Sequence, residues 1–268
     1  MATEAPRPEL DLATLRAAVI GGDSPWRQVD VVPETGSTNA DLLARAAQGA
    51  DIAGAVLLAE HQTAGRGRHG RSWSAPPRSQ LSCSVAVSAA GVPTEAWGWL
   101  PLLTGVAVVD ALDQVCGLPA GLKWPNDVLA GDGKLAGILA EVASPGPTIV
   151  VGLGLNVTLT TEEAPDPRAT SLLQLGHGDV DRTTLAAAWL AQLGARVTAW
   201  QAAGGPDAAL RDDYRRYSLT LGAPVRALLP GGDEITGTAT HVDELGRLGI
   251  DDGGAGATVS AGDITHLR

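Results

Sequence analysis

The chain has 268 residues, 44% hydrophobic and 18% charged with both signs present, which excludes a disordered chain and suits a medium domain plus a small one, or one large domain. A formal net charge of -11 argues against nucleic acid or anionic membrane as partners. Two cysteines without a CxxC pair, Cys83 and Cys116, exclude a disulfide framework and fit a reducing compartment.

In chain order, MATEAPRPEL lacks the basic-then-apolar pattern of a signal peptide, and residues 1–9 are expected to be disordered. Asp11 caps a short helix carrying Leu12, Leu15 and Val19 on one face, ended by Gly21-Gly22. Ser37 or Thr38 caps a second helix with Leu42, Leu43 and Ala46 inward and Gly49 at its C-terminal cap. Ala55–Ala59 is a buried strand. A polar, glycine-rich stretch runs from His61 to Gln80, after which Leu81, Cys83, Val85 and Val87 alternate as in a strand. A long apolar helix is predicted over 95–116. No apolar run reaches the about 18 uninterrupted residues of a membrane-spanning segment, so a cytoplasmic protein is expected. Strands follow at 127–130 and 135–142, joined through Asp132-Gly133 as a tight turn, then at 148–157. Helices are predicted over 183–202 and 206–217. From 218 onward, short strands are split by turns at Pro230-Gly231-Gly232, Asp243–Gly246 and Asp251–Gly254, which suggests a small β-barrel.

The segment Gly65-Arg66-Gly67-Arg68-His69-Gly70-Arg71 matches the dinucleotide fingerprint GxGxxG in form only. That fingerprint opens a helix, whereas Pro76-Pro77 follow and cannot sit in one. Read physically, the glycines let backbone N–H groups approach a ligand, and three arginines with no acid among them favour a phosphate-bearing ligand. The alternative is a solvated loop whose arginines pair with distant acids. Glycine content and clustered like charge also predict a loop that is disordered until a ligand closes it.

Lys123-Trp124-Pro125-Asn126-Asp127-Val128 is poor central-strand material and reads as a ligand site or as an ordinary turn with Trp124 in the core. Lys123 and Lys134 are the only lysines among nineteen lysines and arginines. Where composition favours arginine, a retained Lys134 suggests a need for a compact, mobile ammonium; a solvated hairpin lysine is the alternative. Gly152-Leu153-Gly154-Leu155-Asn156-Val157 either lets backbone approach a ligand beside Asn156 or marks a β-bulge.

Taken together and in this order, with Gly36-Ser37-Thr38-Asn39 upstream, these motifs resemble the catalytic domain of biotin–protein ligases, in particular actinobacterial forms. The resemblance implies an α+β fold: a mixed β-sheet flanked by helices, plus a small SH3-like C-terminal β-barrel. The expected division is a tail and short helix at 1–25, a catalytic domain at 26–217 and the barrel at 218–268. The implied chemistry has two steps. The biotin carboxylate attacks the α-phosphate of Mg²⁺-bound ATP, and the acceptor lysine then takes biotin from biotinyl-adenylate, with a biotin carboxyl carrier domain as acceptor. The resemblance places Ser37, Thr38, Asn39 and Gln62 at biotin, with backbone at Gly65, Gly137 and Leu139. It places Arg66, Arg68 and Lys134 at both biotin and adenylate, and Arg71, Trp73, Asn126 and Asn156 at the nucleotide. Lys134, Arg68 and Asp127 carry the chemistry, with Asp127 assisting either metal binding or deprotonation of the acceptor amine, and the metal ligands stay unassigned. His69 stands where many relatives have arginine.

Only about 25 residues precede the catalytic region, too few for a helix-turn-helix domain, so a ligase without repressor function is expected, as a monomer or weak ligand-dependent dimer. Two rivals stay open here: a lipoate–protein ligase, which shares fold and chemistry, and a non-catalytic biotin-binding module, which would not need Lys134 and Asn156.

Overall fold

Helix α1 (Leu12–Val19) follows an Asp11 cap whose side chain accepts from the Thr14 N–H, and it buries Leu15 and Val19. Strand β1 (Gln28–Val32) leads to α2 (Thr38–Ala47), capped by Ser37 Oγ over the Ala40 N–H. Strands β2 (Ala55–Ala59) and β3 (Gln80–Ser88) precede a 3-10 turn at Thr94–Trp99 and helix α3 (Leu100–Cys116). Then come β4 (Gly121–Lys123), β5 (Asp127–Ala130), β6 (Gly133–Val142) and β7 (Thr148–Asn156). Helices α4 (Arg182–Ala203) and α5 (Ala208–Tyr217) complete the larger part. The C-terminal strands are β8 (Pro224–Leu228), β9 (Glu234–Val242), β10 (Leu248–Asp251), β11 (Ala257–Val259) and β12 (Asp263–His266). This computed structural model describes residues 7–267.

Seven strands form one mixed sheet in the order β1-β2-β3-β7-β6-β5-β4. Strands β1 and β2 are parallel and the other ladders antiparallel. The two faces of this sheet differ because side chains alternate along a strand. Leu81, Cys83 and Val85 on β3, with Val151, Leu153 and Leu155 on β7, join the main core with α1, α3 and α4. Ala86 and Val150 turn the other way, with Leu57, to meet Leu42 and Ala46 of α2 in a second cluster. Strand β2 is apolar throughout because Val56 and Leu58 belong to one cluster and Ala55 and Leu57 to the other.

Several expectations need correction. The tail is not free over its described part. Arg7 donates to Thr158 and Glu163, and the Leu10 N–H donates to Glu60 at 2.6 Å; residues 1–6 lie outside the described residues. The turn dipeptide is Gly131-Asp132 rather than Asp132-Gly133, because Ala130 pairs with Gly133 and the left-handed φ of 56° falls on Gly131. Strands β1 and β4 were not expected. β4 is a three-residue edge, and only the alternation of Val29 and Val31 hinted at β1. Helix α3 with its preceding turn is long and apolar enough to cross a membrane, yet it packs in the core, with its residues from Leu100 to Val109 buried except Pro101.

The C-terminal strands form a five-stranded antiparallel sheet in the order β11-β10-β9-β8-β12. No ladder joins β11 to β12 among the described residues, so the sheet is open where a closed barrel was expected. It is fastened to the larger part by two indoles: Trp99 Nε1–H donates to Asp243 O at 2.9 Å, and Trp124 Nε1–H to Gly246 O at 3.0 Å.

Candidate active site

The face of the large sheet beside α2 changes character along its strands. Near α2 it is apolar, but further along β3 the same face carries Ser84, Ser82 and Gln80. Opposite them on β7 lie Gly152, Gly154 and Asn156. Gly137 and Leu139 of β6 continue this floor next to Gly154 and Gly152. Above it opens a cavity of about 700 Å³. Of the fifteen residues assigned to the site from sequence, fourteen line this cavity. Gly65 does not: it lies beneath the loop, where any side chain would overlap the Trp73 carbonyl.

The glycines of the Gly152–Val157 segment have a different task from the one read in the sequence. A Cβ on Gly152 would overlap the Asn39 amide, and one on Gly154 the Trp73 indole. They make room for two side chains of the site rather than for a ligand alone. Trp73 is then fixed by its Nε1–H, which donates to Gln80 Oε1 at 2.6 Å.

The end of the cavity next to α2 is a hydrogen-bonded cluster. Thr38 N–H and Oγ1 lie 2.9 and 3.1 Å from Gln62 Oε1. Ser84 Oγ lies 2.6 Å from Thr38 Oγ1 and 2.6 Å from Asn39 Oδ1. The helix cap places Ser37, Thr38 and Asn39 here, all three buried.

The glycine–arginine segment is a hairpin. Gly67 N–H donates to Arg71 O at 2.7 Å and Trp73 N–H to Gly65 O at 2.8 Å. At its tip His69 takes a left-handed φ of 55°, a conformation that histidine adopts more readily than bulky or β-branched residues. The hairpin's arginines meet partners distant in the sequence. Arg66 pairs with Glu141 at 2.7 Å, and Arg71 pairs with Asp263 of β12. Arg68 Nη1 donates to Asn126 Oδ1 at 3.1 Å and Gly262 O at 3.3 Å. Burial pushes the Arg68 guanidinium down from its usual range, opposed by Asp263 and Asp127.

Strand β5 begins where Asn126 Nδ2 donates to Ile138 O at 3.0 Å. Asp127 Oδ1 meets Lys134 Nζ at 2.7 Å. That ammonium stands 5.4 Å from the Trp73 ring centroid, within cation–π range. Asn156 Nδ2 donates to Thr170 O at 2.9 Å. Burial lowers the Lys123 ammonium, with Asp127 opposing and Arg168 and Lys134 adding to the shift.

The cavity therefore joins a neutral hydrogen-bonding end, an aromatic wall and a cationic region of Arg66, Arg68, Arg71, Lys123 and Lys134. Such a site holds a polar, uncharged head group at one end and stabilises anionic charge at the other. Sequence reading did not assign Ser84, Glu141, Arg168, Arg226 or Asp263. The polar residues at every second position of β3 could have identified Ser84; the others are brought in by the tertiary fold.

A model of the biotin/lipoate A/B protein ligase family matches residues 33–156. The chain is 56% identical over 98% of its length to a biotin–[acetyl-CoA-carboxylase] ligase of Mycobacterium tuberculosis, of which 97% is covered. It is 31% identical over 94% of its length to the bifunctional ligase/repressor BirA of Escherichia coli, of which 78% is covered. Among solved structures, the biotin protein ligase of Aquifex aeolicus in complex with biotin and ATP superposes with a TM-score of 0.77 at 27% identity, covering 91% of this chain and 100% of that one.

Proposed function

Because the chain belongs to the biotin–protein ligases of the biotin/lipoate A/B protein ligase family, we propose that it joins biotin to a lysine of a biotin carboxyl carrier domain by way of biotinyl-adenylate. The observation that carries this is the single cavity in which the Ser37–Asn39 and Gln62 cluster, Trp73, Arg68 and the Lys134–Asp127 pair converge.

The ureido group of biotin suits the neutral end, where Ser37, Thr38, Asn39 and Gln62 offer donors and acceptors, with backbone at Gly137 and Leu139 along its path. The acyl chain runs past Trp73. Its carboxylate then reaches Arg66, Arg68 and Lys134. There the carboxylate oxygen attacks the α-phosphorus of ATP, the bond to the β-phosphate oxygen breaks, and pyrophosphate leaves. Arg68 and Lys134 neutralise the charge that builds on the phosphoryl oxygens, aided by the desolvated surroundings of Arg68. Arg71, Trp73, Asn126 and Asn156 hold the nucleotide. In the second step the acceptor amine attacks the carbonyl of the mixed anhydride and AMP leaves. Asp127 is the carboxylate beside Lys134 and is suited to take the proton from that amine.

ATP enters as its magnesium complex. Among the described residues no group of three or more histidines, cysteines, aspartates or glutamates gathers to hold a metal. The net charge of -11 supports a ligase that does not bind DNA. The C-terminal sheet walls the cavity with Arg226, Glu234 and Thr265.

The test is ATP–pyrophosphate exchange with Mg²⁺, adding biotin or lipoate separately. Exchange with biotin alone supports the ligase. Exchange with lipoate alone, or none with biotin from folded protein, overturns it.

A further inference from the structure

Glu141 has no part in the mechanism above, yet its carboxylate stands where two parts of the site meet. The alternation along β6 turns it to the same face as Gly137 and Leu139. One oxygen, Oε2, accepts from Asn39 Nδ2 at 2.8 Å and from Arg66 Nη2 at 2.7 Å. Asn39 is fixed on all its polar positions. Its Nδ2 also donates to Leu139 O at 3.1 Å, and its Oδ1 accepts from Ser84 Oγ at 2.6 Å.

Behind Asn39 the contacts continue: Thr38 Oγ1 donates to Gln62 Oε1, Thr38 Oγ1 and Ser84 Oγ lie 2.6 Å apart, and Ser84 Oγ donates to Asn39 Oδ1. Gln62 Oε1 also accepts the Thr38 N–H. Asn39 N–H then reaches Glu141, where Arg66 ends the series. Ser84 and Asn39 are buried, so a donor or acceptor left without a partner there is costly. That makes the chain stiff from Gln62 to the loop. An isolated exposed ion pair would contribute little, but Glu141 is tied to this buried chain.

We propose that Glu141 is a positioning residue that joins Asn39 to Arg66, so that the contributions of these two side chains to biotin affinity are energetically coupled. The inference rests on the biotin reading of the cavity. The shared carboxylate oxygen is the link between the two residues.

The experiment is a double-variant cycle read as the dissociation constant of biotin by calorimetry. Wild type, Asn39→Ala, Arg66→Ala and the pair are compared, then the same set in a Glu141→Gln background. In the wild-type background, the loss in the double variant should fall short of the product of the single losses by about 5-fold or more. In the Glu141→Gln background the losses should multiply. Should Asn39→Ala fail to fold, Ser84→Ala takes its place, since it loosens Asn39 from behind. Equal coupling in both backgrounds, or none in the wild type, overturns the proposal. Wild-type protein that binds no biotin overturns instead the functional reading beneath it.

Discussion

Lys134 is one of two lysines in the chain, and it is the one that meets both Asp127 and the Trp73 ring. Its ammonium is held in place by the carboxylate and can swing on a flexible stem toward developing charge, which a planar guanidinium does less well. Lys134→Ala should lower biotin-dependent ATP–pyrophosphate exchange by about 10²–10³-fold, measured at saturating biotin and ATP. The glycines of β7 make a second argument at this scale. Gly154→Ala puts a methyl group into the Trp73 indole. The ring must move off Gln80, and the overpacking should cost about 1–3 kcal/mol. The expected result is a raised KM for biotin and a lowered melting temperature; unchanged values for both would show that Trp73 is free to move.

Elements hold the site through buried polar joints between them. Arg182, the first residue of α4, reaches β3 and the N-terminal segment together. Its Nη1 donates to Gln80 O at 3.2 Å, and its Nη2 to Pro8 O at 2.5 Å and Glu60 Oε2 at 2.7 Å. Both partners of that ion pair are buried, at 4% and 8% exposure. Arg182→Ala leaves the Glu60 carboxylate buried without its charge partner and should destabilise the fold by about 3–5 kcal/mol, measured by denaturant unfolding. Because Gln80 also holds Trp73, the same substitution should raise the KM for biotin in the protein that remains folded. These joints were not legible in the sequence. Glu60 and Arg182 lie more than a hundred residues apart, and each alone reads as an ordinary surface charge. The element types were more accessible, because alternation and caps are local: Ser37, Asp11 and Asp181 all accept the N–H bonds that their types suggest.

At the scale of the whole molecule, a titrating residue of the open C-terminal sheet meets the segment that leads into that sheet. His266 Nε2 lies 3.0 Å from Thr220 Oγ1, whose oxygen also accepts the Trp124 N–H. Burial, and after it the Lys123 charge, hold the His266 pKa below its usual 6.5. The unfolded chain therefore takes up the proton first. This contribution to stability is full above about pH 6.5 and is lost as pH falls through the lower folded value. The thermal midpoint should drop as pH falls through that range, and His266→Gln should flatten the drop; an unchanged profile in the variant would assign the dependence to other groups.

The sequence by itself determined what local chemistry can determine, helix caps and the period-two face of β3, while its ordered motifs, through their resemblance to biotin–protein ligases, pointed to fourteen residues that line the cavity. It did so because four motifs lie within one stretch of the chain and each keeps its own residue types. The partners were decided only in three dimensions. Arg66 and Arg71 looked like an unopposed positive patch, yet Glu141 and Asp263 face them from β6 and β12. The glycines of Gly152–Val157 looked like space for a ligand, yet the fold fills that space with Asn39 and Trp73. The expected barrel remained an open sheet, because turn signals mark where strands end and do not say which edges pair. Charge compensation, packing space and edge pairing are properties of separation in space, and a residue's type carries no information about what the fold will set against it.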